Sequence, residues 1–227
     1  MDQRAAASTL TTRTQADAQA LFAIVQGGVI PELRRESAAF LTSHPFDGFA
    51  IGGLAVGEGR DEREDMTALA ADLLPAERPR YLMGVGTPPD LLAAIGAGVD
   101  MFDCILPTNF AWQSTAFTST GRVRLLRMAN ANADDSLDPA CGCSTCTSFS
   151  RAYLHHLFKC REPLGPRLVA KHNLHHYHSL MAEARAAIER GTYAAYARAK
   201  LAAIDRHEHS DQPLGRAAEP AVAVAAR

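Results

Sequence analysis

Residues 98–108 read Gly98-Val-Asp-Met-Phe-Asp-Cys-Ile-Leu-Pro-Thr108, a short apolar segment that contains one central acid and is closed by a proline. A strand that ends in a proline-bounded loop is typical of such a segment. The acid, Asp103, is out of place there, because burying an unpaired carboxylate among apolar side chains costs several kcal/mol. Asp103 therefore either caps neighbouring backbone or takes part in a reaction, and we interpret it as a catalytic residue.

Three similar apolar runs precede this segment, and each ends in glycine or just before it. They cover residues 20–26, 46–51 and 80–85, and the intervals between them show helical periodicity at 30–43, 61–74 and 88–97. This alternation predicts an α/β fold with parallel strands and right-handed crossovers. The carboxyl ends of such strands share one edge of the sheet, so we expect one cavity lined by Gln26, Gly52, Gly53, Gly84 and Asp103. Four strands cannot close an eight-stranded barrel, so the sheet is either open or half of a barrel.

Length, composition and charge restrict the class of protein. The chain has 227 residues, of which 47% are hydrophobic, and a formal net charge of -2. This length allows one domain with a small appendage, and the near-neutral charge means that contact with nucleic acid has to come from local patches. No apolar run approaches the roughly 18–20 residues that span a bilayer, and the first residues contain no apolar signal core. We therefore expect a cytoplasmic protein without a membrane partner.

The pattern changes after residue 112. Residues 116–126 are predicted to form a β-hairpin, a cysteine-rich loop follows, and helices are predicted at 151–159, 168–190 and 193–207. We therefore predict four segments: an irregular lead-in at 1–15, a β/α region at 16–112, a metal-binding subdomain with C-terminal helices at 113–206, and a disordered tail at 207–227, which is rich in alanine and charge.

Three of the five cysteines, Cys141, Cys143 and Cys146, fall within six residues. Clustered cysteines in a cytosolic protein favour a metal site over disulfides. Zinc prefers four sulfur or nitrogen ligands in a tetrahedron, so one more ligand is required. Cys160 and the histidines are the candidates. We choose His172, near the start of the long predicted helix, which gives a closed Cys3His site of the structural type, with Cys160 as the alternative.

Five motifs occur along the chain in a definite order. They are Phe22-Ala-Ile-Val-Gln-Gly-Gly28, Gly52-Gly-Leu-Ala-Val-Gly-Glu58, Arg80-Tyr-Leu-Met-Gly-Val-Gly86, Gly98-Val-Asp-Met-Phe-Asp-Cys104, and the cysteine loop followed by His172. Together they resemble the tRNA-guanine transglycosylase family, also called queuine tRNA-ribosyltransferase, over residues 16–206. The resemblance implies the C-terminal half of a (β/α)8 TIM barrel, strands five to eight, with a zinc-binding subdomain, C-terminal helices and one structural Zn2+.

The resemblance also implies a reaction. In this family guanine-34 leaves the ribose of a tRNA with a GUN anticodon, and a 7-deazaguanine base, preQ1 or queuine, takes its place in queuosine biosynthesis. Asp103 matches the nucleophile that forms a covalent aspartyl-ribosyl intermediate, which follows the logic of a retaining glycosidase. The base-binding residues of the family are matched by Gln26, Gly52, Gly53, Leu54 and Met83. Since the family is usually dimeric, a homodimer is a further expectation.

Residues of the family that contact tRNA are matched by Gly84, Val85, Gly86, Thr87, Thr108, Asn109 and Trp112. Asn109 and Trp112 stand where the family usually has arginines, and Thr87 stands where it often has lysine. Each missing cation removes a contact to a phosphate or a base edge. An alternative is therefore a truncated or diverged non-catalytic paralogue that acts as a tRNA-binding or partner subunit. A half barrel by itself is expected to be weakly active or inactive.

Overall fold

The computed structural model describes residues 19–210 of the chain. The strands are β1 Phe22–Val25, β2 Gly48–Ile51, β3 Arg80–Leu82, β4 Met101–Phe102, β5 Thr115–Thr118 and β6 Gly121–Arg124. The helices are α1 Pro31–Thr42, α2 Arg60–Leu73, α3 Pro88–Gly96, α4 Leu106–Trp112, α5 Ser144–Ser148, α6 Arg151–Lys159, α7 Leu164–Glu189 and α8 Tyr193–Ser210, with a 3-10 turn at Met128–Asn130. The predicted lead-in at 1–15 and the predicted tail from residue 211 onward lie outside the described residues.

Strands β1 to β4 form a parallel sheet whose spatial order equals their order in the chain. The register pairs Val25 with Ile51, Ile51 with Leu82, and Leu82 with Phe102. Because side chains alternate between the two faces of a strand, these residues form a row on one face. Small residues of α1, α2 and α3 pack against that row in one core cluster. The predicted α/β alternation with parallel strands is confirmed.

The opposite face of the sheet is more open. Ile24 in β1 is 43% exposed and Met101 in β4 is 46% exposed. Tyr81 pairs with Met101 and therefore points to this same face. The sheet thus presents one face that is closed by helices and one that reaches solvent, with Tyr81 on the open side.

The segment around Asp103 differs from the prediction in one respect. Strand β4 has only two residues, and helix α4 begins three residues after Asp103, where we expected a loop. Pro107 closes the apolar run and occupies the first turn of α4. Backbone N–H groups in the first turn have no helical partner, so a proline there costs no hydrogen bond. The proline therefore marks the start of a helix, and strand β4 has already ended at Phe102.

Helix α1 also presents an unexpected face. The spacing of Leu33, Ala38, Phe40 and Leu41 predicts the helix, yet Leu33 is 47% and Phe40 66% exposed. The buried positions are Arg34 and Ala38, which lie one turn apart. An arginine therefore occupies a core position that hydrophobic periodicity assigns to apolar residues.

The antiparallel hairpin β5–β6 and helices α5 to α8 form the second region. The hairpin and helices α6 to α8 were predicted, whereas the short helix α5 lies where we expected part of a cysteine-rich loop. Helix α7 begins at Leu164, earlier than expected, and α8 continues through 207–210, which we had assigned to the tail. Another core cluster, with Leu92, Phe117, Tyr177 and Leu180 among its members, joins α3 to this region. Within residues 19–210 no helix combines the length and the apolar character that a membrane crossing requires.

Candidate functional site

Asp103 lies directly after β4 at the carboxyl edge of the parallel sheet. Two donors reach its Oδ1 atom: the hydroxyl of Tyr81, at 2.6 Å, and the backbone N–H of Gly84, at 2.8 Å. Tyr81 comes from the neighbouring strand β3, and Gly84 from the loop that follows it. The carboxylate is thus held by its neighbour in the sheet and remains exposed to solvent.

These hydrogen bonds control the ionisation of the pair. The Tyr81 hydroxyl, assisted by the Gly84 N–H, lowers the pKa of Asp103 below its usual value. The same hydrogen bond to Asp103 raises the pKa of Tyr81 to about 12. At neutral pH Asp103 is therefore a carboxylate and Tyr81 a neutral donor. Our premise that Asp103 is buried was wrong, because its side chain is on the open side of the sheet, where ionisation costs little.

Gln26 and the Gly52–Gly53 pair form a second group at the same edge. A Cβ atom added to Gly52 would lie 2.7 Å from Gln26 Nε2, and one added to Gly53 would lie 2.5 Å from Gln26 Oε1. Gly53 also has a φ of +66°, in the left-handed region that favours glycine. The close approach of the Gln26 amide to this turn therefore requires glycine at both positions.

Arg34 connects the loops that carry this second group, and sequence reasoning missed it. Its Nε donates to Gly28 O at 2.6 Å, and its Nη2 donates to Gly52 O at 3.1 Å and to Gly53 O at 3.5 Å. The residue is fully buried, and burial lowers the pKa of its guanidinium, against an opposing effect of Glu58. The only sequence signal is a cation at a position of α1 that faces the core.

The predicted cavity residues therefore fall into two groups. Gln26 follows β1 and Asp103 follows β4, so three strand spacings separate them, about 14 Å at roughly 4.8 Å per spacing. All lie at the carboxyl ends of the strands, as predicted. The structure brings Gln26 together with Gly52 and Gly53, and it brings Asp103 together with Gly84.

The remaining predicted ligand-binding residues differ in accessibility. Gly84, Thr108 and Trp112 are exposed, and Met83 is half-buried. Leu54 and Val85 belong to the core cluster, so their side chains are packed away from solvent. Gly86 is buried, and its carbonyl accepts a hydrogen bond from the hydroxyl of Tyr177 at 2.9 Å.

Thr87 and Asn109 have local partners. Thr87 is the N-cap of α3, where its N–H and hydroxyl both donate to Asp90 Oδ2. The Asn109 side-chain oxygen accepts a hydrogen bond from Gln113 Nε2 at 3.2 Å. At both positions a helix-stabilising contact already uses the polar group.

The metal-binding residues converge in the second region. The ligand atoms of Cys141, Cys143, Cys146 and His172 lie within 4.8 Å of one another. His172 Nδ1 is 3.6, 3.5 and 3.3 Å from the sulfurs of Cys141, Cys143 and Cys146. Three sulfurs and one imidazole nitrogen form the donor set that a closed tetrahedral zinc site uses. The residues fit one structural Zn2+, and the predicted choice of His172 is confirmed.

The surroundings of the cluster prepare His172 to be a ligand. Its Nε2 lies 2.7 Å from Phe117 O, so Nε2 carries the proton and Nδ1 presents its lone pair to the sulfurs. Burial lowers the pKa of His172 and raises the pKa of the Cys141 and Cys146 thiols. The imidazole is therefore neutral, and the thiols require a cation to become thiolates.

Two further residues, Asn173 and Cys160, are not ligands of the metal cluster. Asn173, fully buried beside His172, accepts from Phe117 N–H and donates to the carbonyls of Pro107 and Thr115. It thereby ties α7 to α4 and β5. Cys160, the alternative fourth ligand, lies outside the cluster: it is exposed, and its sulfur contacts His156 at 3.6 Å.

Comparison with known proteins supplies an independent finding. Residues 2–206 match the sequence profile of a family described as queuine tRNA-ribosyltransferase. A protein of that name from Solidesulfovibrio magneticus is 51% identical over 186 residues, which cover 82% of this chain and 50% of the relative. Similar proteins occur in Nitratidesulfovibrio vulgaris, 52% identical over 78% of this chain and 48% of the relative, and in Stenotrophomonas maltophilia, 53% identical over 78% and 47%. The chain spans about half the length of the curated relatives it matches.

Proposed function

This chain belongs to the queuine tRNA-ribosyltransferase family, and on that premise we propose that it acts in tRNA-guanine transglycosylation. The reaction exchanges guanine-34 of a GUN anticodon for a 7-deazaguanine base, preQ1 or queuine, and Asp103 is the nucleophile. The observation that carries the proposal is the geometry of Asp103. It is an exposed carboxylate at the carboxyl end of a parallel strand, and Tyr81 and Gly84 keep it ionised.

In the proposed reaction, a carboxylate oxygen of Asp103 attacks C1′ of the ribose. A C1′–O bond forms, the C1′–N9 bond to guanine breaks, and the departing base takes the electron pair and a proton from solvent water. The incoming base then gives up its N9 proton to solvent water, forms the new C1′–N9 bond and displaces the carboxylate. Two displacements at one carbon give net retention, as in retaining glycosidases. Both donors bind Oδ1, so Oδ2 is the oxygen without a bond to Tyr81 or Gly84 and is the better placed to attack.

The remaining roles follow from the resemblance and the positions of the residues. The Gln26 amide and the Gly53 backbone bind the edge of the base, and Gly52 permits their close approach. Met83 shapes the wall of the pocket with its side chain, and Leu54, whose side chain lies in the core, contributes through its backbone. Gly84, Val85, Gly86, Thr87, Thr108, Asn109 and Trp112 form the tRNA-binding side. Val85 and Gly86 contribute through their backbone, because both are buried. Zinc, when bound, supplies no chemistry and only holds the cysteine loop against α7.

The fold and the assembly complete the proposal. A parallel sheet in chain order, with its functional residues at the carboxyl ends, fits strands five to eight of a (β/α)8 TIM barrel. A homodimer through the second region is the proposed assembly. The relatives' names do not favour the alternative of a non-catalytic tRNA-binding or partner subunit.

Covalent trapping tests the nucleophile. The chain is incubated with a labelled anticodon stem-loop RNA, denatured and run on a gel. We expect a slow build-up of a band at the combined mass of protein and RNA. Asp103→Asn should abolish this band, because a neutral amide is a poor nucleophile. Asp72→Asn, an exposed acid on α2, is the matched control and should retain it. An adduct that forms equally in Asp103→Asn would refute the assignment.

A further inference from the structure

Helix α7 contacts both backbone segments that flank Asp103. Asn173 and Tyr177 lie four residues apart in this helix and are therefore neighbours on its surface. The Asn173 amide donates to Pro107 O at 2.8 Å, in the first turn of α4, just after Asp103 in the chain. The Tyr177 hydroxyl donates to Gly86 O at 2.9 Å, in the loop that follows β3. One helix of the second region therefore holds the segment after the carboxylate and the loop that donates to it.

The loop after β3 has little stiffness of its own. Gly84 has a φ of +73°, in the left-handed region, and Gly86 follows it two residues later. Glycine restricts the backbone less than any other residue, so contacts have to hold this segment in place. Val85 is buried in the core, and the carbonyl of Gly86 is the next point of attachment. The position of the Gly84 N–H, which donates to Asp103 at 2.8 Å, therefore depends on these two attachments.

Two side chains converge on the carbonyl of Gly86. One is the hydroxyl of Tyr177, and the other is the thiol of Cys104, whose sulfur lies 3.5 Å from the oxygen. Cys104 follows Asp103 directly in the chain. Because a thiol is a weak donor, the tyrosine provides the stronger of the two hydrogen bonds. The carbonyl thus joins helix α7 to the residue beside the carboxylate, mainly through Tyr177.

The Tyr177 side chain is fixed by its packing. It is 9% exposed and belongs to the core cluster that also contains Leu92, Phe117 and Leu180. Its ring meets the ring of Phe117 edge to face, with 5.4 Å between the centroids, an arrangement that aromatic pairs favour. Burial raises the pKa of Tyr177, so its hydroxyl is a neutral donor at neutral pH. The core therefore presents a rigid hydrogen-bond donor to a flexible loop.

We propose that Tyr177 is a positioning residue for Asp103. By holding Gly86 O, it keeps the Gly84 N–H on Oδ1 of the carboxylate and so fixes the direction of Oδ2. The residue acts through the loop and not by contact with the reacting atoms. Such support matters for rate, because a displacement of about 1 Å at a reacting group costs about 100-fold. This inference rests on the proposed function for the reaction at Asp103, and it gives helix α7 a part in that reaction.

Tyr193 provides a matched control for Tyr177. It also belongs to a C-terminal helix, and its hydroxyl donates to a backbone carbonyl of the first region, Leu92 O, at 2.6 Å. Leu92 lies within helix α3 and not in a loop at the carboxyl edge of the sheet. Tyr177→Phe and Tyr193→Phe remove the same atom from the same kind of hydrogen bond, so both should lower the melting temperature by a few degrees. Only the first should influence Asp103.

Two NMR measurements on the zinc-loaded chain test the positioning without requiring a reaction. In Tyr177→Phe the Gly84 amide hydrogen should exchange with solvent about fivefold faster, because its hydrogen bond is weakened. The pKa of Asp103 should rise, since a weaker Gly84 hydrogen bond stabilises the carboxylate less. The rise should be smaller than in Tyr81→Phe, because the Tyr81 hydroxyl is the larger cause of the low pKa. Tyr193→Phe should change neither quantity.

Covalent trapping measures the consequence for the reaction. At saturating stem-loop RNA, Tyr177→Phe should form the adduct at Asp103 about tenfold more slowly, because the attacking oxygen is less well aligned. The RNA concentration that gives half the maximal rate should change by less than about twofold, since the variant leaves the binding surface unaltered. Tyr193→Phe should react at the rate of the unaltered chain. Circular dichroism establishes that both variants are folded.

The outcomes separate this inference from the proposed function. If both variants lose stability and Asp103 titrates in them as in the unaltered chain, Tyr177 is only a core residue and the inference is wrong. Equal effects of the two variants on Asp103 would also overturn it, because general loosening of the fold would then be the cause. If Gly84 exchange and the Asp103 titration respond to Tyr177→Phe alone but the unaltered chain forms no adduct, the positioning contact stands and the nucleophile assignment fails.

Discussion

The metal cluster and the Asp103 site are built on opposite principles. The cluster gathers four ligands from the short segment 141–146 and from helix α7, and three of the four are buried. Asp103 is exposed, and its partners Tyr81 and Gly84 come from another strand and its loop. A closed site is held by its own ligands once the metal is present, whereas an open site depends on the alignment of separate strand ends. Substitutions should therefore act on stability at the metal cluster and on ionisation at the Asp103 site.

Removal of a metal ligand should have the largest effect. Cys143→Ser should abolish stoichiometric zinc binding and leave residues 113–206 unfolded or molten, because structural zinc contributes on the order of 10 kcal/mol to small metal-dependent domains. Metal analysis and circular dichroism measure the two effects. Cys160→Ser makes the same exchange at an exposed thiol outside the cluster and should be silent. A Cys143→Ser protein with one zinc and an unchanged melting temperature would show that the cluster does not organise this region.

Substitution of Arg34 tests whether its buried guanidinium stabilises the loops that carry Gln26, Gly52 and Gly53. Arg34→Met should lower the free energy of unfolding by about 2 kcal/mol, because buried carbonyls lose their hydrogen-bond donor. The cost of burying a charge also disappears, and this offsets part of the loss. Urea unfolding of the zinc-loaded chain measures it. Arg35→Met, on the exposed side of the same helix, is the control. Equal stability of the two variants would mean that the Gly52–Gly53 turn holds its shape without Arg34.

The smallest effect on stability, and the most specific one, is expected at Tyr81. Tyr81→Phe removes the main cause of the low pKa of Asp103, so that pKa should rise towards its ordinary value of about 3.8. The free energy of unfolding should fall by only about 0.5 kcal/mol, because the hydrogen bond is exposed. A depressed carboxyl pKa stabilises the fold above the unfolded pKa, and this contribution is lost as pH falls through the folded value. Because the folded pKa of Asp103 in the variant approaches the unfolded one, most of this contribution should be absent from the variant at neutral pH.

An NMR titration of the Asp103 carboxyl carbon measures the shift directly. Tyr153→Phe, which removes the hydroxyl of a half-exposed tyrosine stacked on Phe149, provides the comparison and should leave the titration of Asp103 unchanged. An Asp103 curve that does not move in Tyr81→Phe would assign the low pKa to the Gly84 N–H alone.

The two regions also differ in how well the amino-acid sequence predicts them. The cysteine spacing and His172 were sufficient for the metal cluster, because three ligands lie within six residues and zinc demands a fourth. The order of strands and helices was likewise predictable, since periodicity is a local property. Helix α4 was missed because Pro107 can end a strand or begin a helix, and the sequence does not distinguish the two.

The partners of Asp103 and the role of Arg34 were not predictable. Asp103 was singled out because an acid in an apolar run implied burial, yet the structure exposes it. Tyr81 is 22 residues from Asp103 in the chain, and only the pairing of β3 with β4 makes them neighbours. From sequence alone, Arg34 is expected to be a surface cation. Its buried position follows only from the packing of its helix against the loops after β1 and β2.

By itself, the sequence determined the alternation of strands and helices, the metal ligands and the placement of Asp103 at a strand end. These features depend on residue type, periodicity and close spacing. The tertiary structure decided which oxygen of Asp103 is held, that Gln26 and Asp103 occupy opposite ends of the sheet edge, and that Arg34 is buried. Those features depend on strand register and on the packing of distant segments. Both are set by the combined burial of the whole chain, and no local pattern encodes them.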